Sequence, residues 1–124
     1  MDLLTSLGIK ISKKSKDLTI ISLKLTDNLK QPFGYLHGGV NSLLAETAAS
    51  ISAQQFAKKN QVAVGVSINT NHLLPVQSGT LLAEAVPVRI GKSLQVWQVK
   101  THLKTSQQPT SFSIVTTKLI QKTD

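Results

Sequence analysis

Between residues 40 and 59 the chain contains neither Gly nor Pro, which predicts one long α-helix. Apolar and small side chains cover more than one face of this helix, so we expect it to be buried on most sides. These side chains belong to Leu43, Leu44, Ala45, Thr47, Ala48, Ile51 and Phe56. One acid, Glu46, lies in the middle of the run. Because a buried carboxylate without a partner is costly, Glu46 has either a partner or a function.

A turn is predicted immediately before the helix. Pro32 and Gly34 interrupt regular structure, and Gly38 and Gly39 allow the backbone to approach another group closely. Residues 58–60, Lys-Lys-Asn, fit a helix C-terminus, since cations favour the negative end of the helix dipole and Asn tolerates a left-handed cap.

Alternating apolar and polar positions predict one strand before the helix and four after it. The predicted strands are residues 18–25, 62–74, 80–90, 94–103 and 111–120. Residues 2–7 predict a short helix, and the basic residues 10–16 a solvated strand end or loop. Short turns favour an antiparallel meander. A curved antiparallel sheet wrapped around one central helix is an α+β hotdog fold, here in a single domain of residues 1–124.

The composition limits the classes of function that the chain can have. The chain has 124 residues, no Cys and a net charge of +8. It contains no apolar run of about 18 residues and no secretion signal, so we expect a cytoplasmic protein without a membrane span. The basic surface attracts anions, which include nucleic acid, anionic lipid and phosphate-bearing ligands. Aromatic residues are few, and Phe33, Phe56 and Trp97 lie in segments that we expect to be buried, which argues against a stacking platform for nucleic acid.

Four segments together resemble the hotdog-fold acyl-CoA thioesterases: QPFGYLHGG from Gln31, LAETAAS from Leu44, GVSINTNH from Gly65 and GKSLQVWQ from Gly91. The resemblance spans about residues 28–120. More narrowly, the chain resembles the aryl-CoA group, which includes the 1,4-dihydroxy-2-naphthoyl-CoA thioesterases of menaquinone synthesis and the proofreading thioesterases of enterobactin synthesis. A Glu at the acid position, rather than the Asp of phenylacetate-type relatives, favours this group.

The resemblance implies five catalytic residues. Glu46 matches the carboxylate that attacks the thioester or activates water. The N–H of Gly38 matches the oxyanion hole at the helix N-terminus. Gln31 matches a hydrogen-bond donor near the carbonyl, His37 a residue that orients the thioester, and Ser50 a hydroxyl that positions water or the carboxylate. The alternatives are a surface amide for Gln31, a helix-entry residue bonded to the backbone for His37, and a small packing residue for Ser50.

The resemblance also implies residues along the path of coenzyme A: Gly65, His72, Arg89, Gly91, Lys92 and Ser93. The alternatives are a structural role for His72 and a solvated turn at residues 89–93. The three histidines, His37, His72 and His102, lack metal-ligand spacing, and we expect His102 on the surface. We therefore expect no metal and no cofactor, with the CoA thioester as substrate.

The spacing along the helix bears on assembly. Glu46 follows Gly38 by eight residues, which is about 12 Å along a helix axis. If both groups act on one substrate, they come from different subunits, so we expect a homodimer or homotetramer with shared sites. The sequence thus predicts an acyl-CoA thioesterase. The alternatives are a hotdog domain that binds acyl-CoA or acyl-carrier protein without hydrolysis, and a basic module that binds nucleic acid.

Overall fold

An antiparallel sheet of six strands packs against one long helix in the computed structural model, which describes residues 1–123. Two helices are present, α1 (Leu3–Leu7) and α2 (Gly38–Gln54), together with a 3₁₀ turn at Asp27–Leu29. The strands are β1 (Lys10–Lys14), β2 (Thr19–Lys24), β3 (Gln61–His72), β4 (Thr80–Ile90), β5 (Leu94–Leu103) and β6 (Pro109–Gln121). The hotdog fold predicted from the sequence is confirmed.

The core lies between α2 and one face of the sheet. Alternate residues of the central strands are fully buried on that face, among them Leu81, Ala83, Ala85, Trp97 and Val99. Small residues of α2, Ala45 and Ala48, are also fully buried and let the helix approach the sheet closely. The buried indole N–H of Trp97 donates a hydrogen bond of 2.9 Å to the Thr117 hydroxyl.

The predicted four-strand meander is wrong in one respect. The strand order is β1-β2-β4-β5-β6-β3, so only β4, β5 and β6 form a meander. β3 pairs with β6 instead of β4, and β2 fills the place beside β4. The connection at residues 73–79 carries the chain from one edge of the sheet towards the other, and alternation within a strand does not specify its neighbour.

The long helix is shorter than predicted, because it ends at Gln54 and not near residue 59. Beyond it the chain turns so that Phe56 packs on Trp97, with ring centroids 6.3 Å apart. Asn60 is left-handed, with φ of 66°, but it belongs to the turn into β3 rather than to a helix cap. Within residues 1–123, no helix is long and apolar enough to cross a bilayer.

The two edge strands differ in charge. β1 is exposed along its whole length and carries Lys10, Lys13 and Lys14, which discourage pairing with another sheet. β3 carries no charged side chain, and its Val64 and Val66 are exposed. A further exposed apolar residue is Phe33, which is 84% exposed at the turn before α2 and corrects our expectation that it is buried.

Candidate active site

The N-terminus of α2 presents an unpaired backbone donor. His37 is the N-cap, and its Nδ1 accepts a hydrogen bond of 2.9 Å from the N–H of Gly39. The helix-entry role that we considered for His37 is therefore present. Within residues 1–123 no acceptor is bonded to the N–H of Gly38, which is one of the N–H groups that an α-helix leaves free. This donor lies at the positive end of the helix dipole.

A groove of about 410 Å³, here called the N-terminal groove, surrounds this donor. Its lining includes Gln31, Tyr35, Leu36, Gly38, Asn41 and His72. The side-chain oxygen of Gln31 accepts a hydrogen bond from the N–H of Phe33, which leaves the amide NH₂ of Gln31 for a ligand. His72 lies directly against Gly38, since a Cβ at position 38 would be 2.8 Å from His72 Nε2.

A second groove of about 470 Å³, the carboxylate groove, contains Glu46. Ser50, one helical turn further on, and Gly65 of β3 also line it. The carboxylate is half-buried and forms no ion pair, since the ion pairs within residues 1–123 join Lys30 to Asp27 and His102 to Glu84. The partnered acid that we considered as an alternative for Glu46 is therefore absent from this part of the chain.

Four of the five predicted catalytic residues lie in these two grooves, whereas His37 is exposed and lines neither. Gln31 and Gly38 line the N-terminal groove, and Glu46 and Ser50 line the carboxylate groove, with no lining residue in common. The predicted binding residues divide in the same way, because His72 lies in the first groove and Gly65 in the second. Gly38 and Glu46 of one chain therefore lie in separate grooves, which agrees with their spacing along the helix.

The remaining predicted binding residues lie together at the hairpin between β4 and β5. Arg89, Gly91, Lys92 and Ser93 line a third groove of about 380 Å³, the hairpin groove. The turn is tight, because the N–H of Gly91 donates to the carbonyl of Leu94 at 2.8 Å and a Cβ at position 91 would be 2.6 Å from that oxygen. The hairpin therefore places one guanidinium and one ammonium group beside the same opening.

The structure corrects the prediction for His102, which is 6% exposed rather than on the surface. His102 lies on the same face of the sheet as Glu84, and its Nε2 lies 2.5 Å from the Glu84 carboxylate. Burial opposes the charged imidazole, but the hydrogen bonds to Glu84 and to two backbone carbonyls outweigh it and raise the pKa of His102. Within residues 1–123 no three metal-ligating side chains lie close enough together to hold an ion.

Sequence reasoning missed Asn41, which is 5% exposed and hydrogen-bonds to His72. A signal for it exists in the sequence. Asn41 precedes Leu44, Ala45 and Ala48 by three, four and seven residues, which places it on the buried stripe of α2.

Comparisons with known proteins give the family and the relatives of this chain. Residues 33–110 match the model of the thioesterase superfamily. The chain is 44% identical over 100 residues, 81% of each chain, to 1,4-dihydroxy-2-naphthoyl-CoA hydrolase of Listeria monocytogenes. It is 33% identical over 93 residues, 75% of this chain and 68% of the relative, to the proofreading thioesterase EntH of Klebsiella pneumoniae. The crystal structure of a Haemophilus influenzae thioesterase superposes with a TM-score of 0.89 at 35% identity, covering 98% of this chain and 84% of that one.

Proposed function

Because this chain belongs to the thioesterase superfamily and is a thioester hydrolase, we propose that it hydrolyses an aryl-CoA thioester to the free acid and coenzyme A. The proposed substrate class includes 1,4-dihydroxy-2-naphthoyl-CoA, an intermediate of menaquinone synthesis, because the Listeria relative is named for that reaction. Such an enzyme works where CoA esters are made, in the cytoplasm, and needs no metal or cofactor beyond its substrate.

The observation that carries the proposal is the carboxylate of Glu46, which has no partner within residues 1–123 and lies against the bare backbone of Gly65. A half-buried carboxylate without a cation or hydrogen-bond donor is available as a nucleophile or as a base for water. Ser50, on the same face of α2, is placed to hold a water molecule or the carboxylate.

The reaction needs an acceptor for the charge that develops on the carbonyl oxygen. We assign this role to the free N–H of Gly38 of the partner subunit, aided by the helix dipole and by the amide of Gln31 from the same groove. Glu46 either attacks the carbonyl carbon, forming a mixed anhydride that water then hydrolyses to the free acid, or removes a proton from the water that attacks the carbonyl. Coenzyme A leaves as a thiolate and is then protonated, while His37 at the N-cap orients the thioester.

This assignment requires a dimer, and the free edge of β3 supports one. Twelve residues of β3 form an edge without a charged side chain, and Val64 and Val66 on it are 36% and 55% exposed. Such an edge readily pairs with another strand, whereas lysines protect the opposite edge, β1. Pairing of β3 with its copy places the two helices side by side and completes two sites; two such dimers form the homotetramer.

The grooves also suit the two ends of the substrate. The N-terminal groove has an apolar side formed by Tyr35, Leu36, Leu74 and Val76, which suits an aromatic acyl group. The hairpin groove presents Arg89 and Lys92, which can donate charge-assisted hydrogen bonds to the phosphates of coenzyme A.

The proposal is tested by thiol release from a panel of CoA esters, with dihydroxynaphthoyl, benzoyl, phenylacetyl, hexanoyl and palmitoyl groups. The protein has no Cys, so a thiol reagent detects released coenzyme A alone. We expect wild type to prefer an aryl ester and Glu46→Gln to lose at least about a hundredfold in kcat, as expected for a missing base. Asp17→Asn, which removes an exposed carboxylate, is the matched control and should retain full activity.

Two results would overturn the proposal. Full activity of Glu46→Gln would remove the carboxylate from the mechanism. Binding of CoA esters without thiol release would favour a binding domain for acyl-CoA or acyl-carrier protein.

A further inference from the structure

Asn41 is a polar residue on the buried side of α2. It is 5% exposed, and its Nδ2 lies 3.1 Å from Nδ1 of His72. Its Oδ1 is buried without a hydrogen-bond partner among residues 1–123. An unpaired buried oxygen destabilises the fold, and an apolar residue at this position would avoid that cost. Packing alone therefore does not explain an amide that lines the N-terminal groove.

The hydrogen bond to Asn41 fixes the tautomer of His72. When Nδ1 of a neutral imidazole accepts a hydrogen bond, the ring carries its proton on Nε2. The opposite orientation of the amide would put the NH₂ where Oδ1 now lies, a buried position with no hydrogen-bond partner among residues 1–123. The observed orientation thus favours an Nε2–H donor on His72.

This donor lies beside the free backbone donor of α2. A Cβ at position 38 would be 2.8 Å from His72 Nε2 and 2.9 Å from Cε1, so the imidazole edge lies against Gly38. His72 is itself exposed at the end of β3, and Asn41 is the residue whose side chain holds the ring there. A neutral imidazole at a helix N-terminus is a suitable hydrogen-bond donor to a carbonyl oxygen.

We propose that Asn41 is a positioning residue, which holds His72 in its Nε2–H tautomer so that this group and the N–H of Gly38 donate together to the thioester oxygen. The inference rests on the proposed function. No proton is transferred to the oxygen: the Nε2–H bond strengthens as the oxygen becomes negative and weakens when the thiolate leaves.

Asn41→Asp provides the test, because it keeps the shape of the side chain and reverses the polarity of the hydrogen bond. The carboxylate accepts from Nδ1–H, so a neutral ring gives up its Nε2 proton; activity is therefore measured at a pH high enough to keep the imidazole of the variant neutral. We expect kcat to fall roughly a hundredfold, as for the loss of one oxyanion donor, while KM changes little. In a His72→Ala background the same substitution should have no further effect on kcat.

Asn41→Leu separates this role from folding. It removes the hydrogen bond with little change in volume, so we expect a lower kcat together with an unfolding temperature equal to or above that of wild type. The ¹⁵N NMR shifts of His72 give a readout that is independent of turnover. Wild type should show a bare Nδ1 and a protonated Nε2, and Asn41→Asp should show a protonated Nδ1.

The outcomes distinguish the inference from the proposed function. If wild type hydrolyses no CoA ester, the proposed function fails and the catalytic role of Asn41 fails with it. If wild type is active but its His72 carries the proton on Nδ1, only the inference is wrong. It is also wrong if the folded Asn41→Asp variant keeps the kcat of wild type.

Discussion

The carboxylate of Glu46 occupies the space that a side chain at Gly65 would need. A Cβ at position 65 would lie 2.8 Å from Glu46 Cδ, and the three atoms nearest to it all belong to the Glu46 side chain. The glycine is therefore required by the position of the carboxylate and not by the backbone of β3. This makes Gly65 a sensitive probe of the proposed site.

Gly65→Ala should displace the carboxylate without unfolding the protein. The added methyl group meets the far end of a flexible side chain, so we expect a near-normal unfolding temperature and a fall in kcat of roughly tenfold or more, the range for a misplaced catalytic group. Thiol release and thermal unfolding measure the two effects. In the Glu46→Gln background, Gly65→Ala should cause no further loss of kcat. An additional loss would show that the methyl group at position 65 affects activity independently of Glu46.

Shared sites predict that two inactive variants restore each other. Gln31 lines the N-terminal groove and Glu46 the carboxylate groove, so Gln31→Ala and Glu46→Gln damage different halves of each site. Unfolded together and refolded as mixed dimers, they should recover roughly a quarter of wild-type kcat, the statistical share of intact sites in a twofold dimer. Each variant refolded alone is the control. If the refolded mixture were no more active than either variant alone, Gln31 and Glu46 of the same subunit would form one site.

The twofold axis of the dimer has a predicted position. Gly38 and Glu46 of different subunits meet if the axis passes near the midpoint of that helical segment, at Ser42. The hydroxyl of Ser42 donates to Thr70 Oγ1 on β3 at 2.9 Å, so the axis should also pass near Thr70. Each Thr70 then faces its own copy across the paired edge strands.

Thr70→Cys should therefore form a disulfide between subunits on mild oxidation, since facing residues of paired antiparallel strands lie within reach of such a bond. The band of a covalent dimer on a non-reducing gel is the measurement. Gln61→Cys is the control at the start of the same strand, where two copies would be roughly 60 Å apart at 3.3 Å per residue. Efficient cross-linking of Gln61→Cys instead would show that the axis lies near Gln61, which is incompatible with a site shared by Gly38 and Glu46.

Arg89 in the hairpin groove should serve the nucleotide end of coenzyme A. We expect Arg89→Ala to raise KM for an aryl-CoA ester about tenfold with little change in kcat, since one charge-assisted hydrogen bond contributes about 1.5–3 kcal/mol. The matching acyl-pantetheine ester lacks the nucleotide phosphates, so its KM should not change. Lys104→Ala, in the hairpin between β5 and β6, is the control for net charge. Equal effects on both esters would exclude a phosphate contact.

The sequence predicted the features that depend on the side chains of a single helix or strand. The absence of breakers predicted α2, and alternation predicted β2 to β6, whereas β1 was expected only as a solvated strand end or loop. The apolar surroundings of Glu46 singled out that acid as a candidate. The eight-residue spacing also predicted that Gly38 and Glu46 lie apart in one chain, and they line separate grooves. The site shared between subunits stays a prediction.

What the sequence did not predict depends on contacts between distant elements. The place of β3 beside β6 is decided by sheet pairing, which leaves no mark in the pattern of β3 itself. The burial of His102 follows from its contacts with Glu84 on β4 and with the backbone of the turn after β5. The role of Asn41 needs the position of His72, which is 31 residues away.

His102 should stabilise the hairpin between β5 and β6 in a pH-dependent way. Its Nδ1 lies 2.9 Å and 2.8 Å from the carbonyl oxygens of Leu103 and Ser106, and its Nε2 lies 2.5 Å from the Glu84 carboxylate. All three partners are acceptors, so the ring donates through both nitrogens and is favoured as the charged imidazolium. Although burial opposes that form, these hydrogen bonds outweigh it and raise the pKa of His102 in the folded protein.

A raised pKa means that the folded state holds the proton more tightly than the unfolded chain does. The stabilisation by His102 is then complete below the unfolded pKa of about 6.5 and is lost as the pH rises through the higher folded pKa. The unfolding temperature of wild type should therefore exceed that of His102→Gln most clearly near pH 6, and the difference should shrink as the pH rises. Glu84→Gln should give the same profile, and the double variant little more. If the difference in unfolding temperature grew with pH, the His102 ring would be neutral in the folded protein. One of its nitrogens would then accept a hydrogen bond rather than donate one.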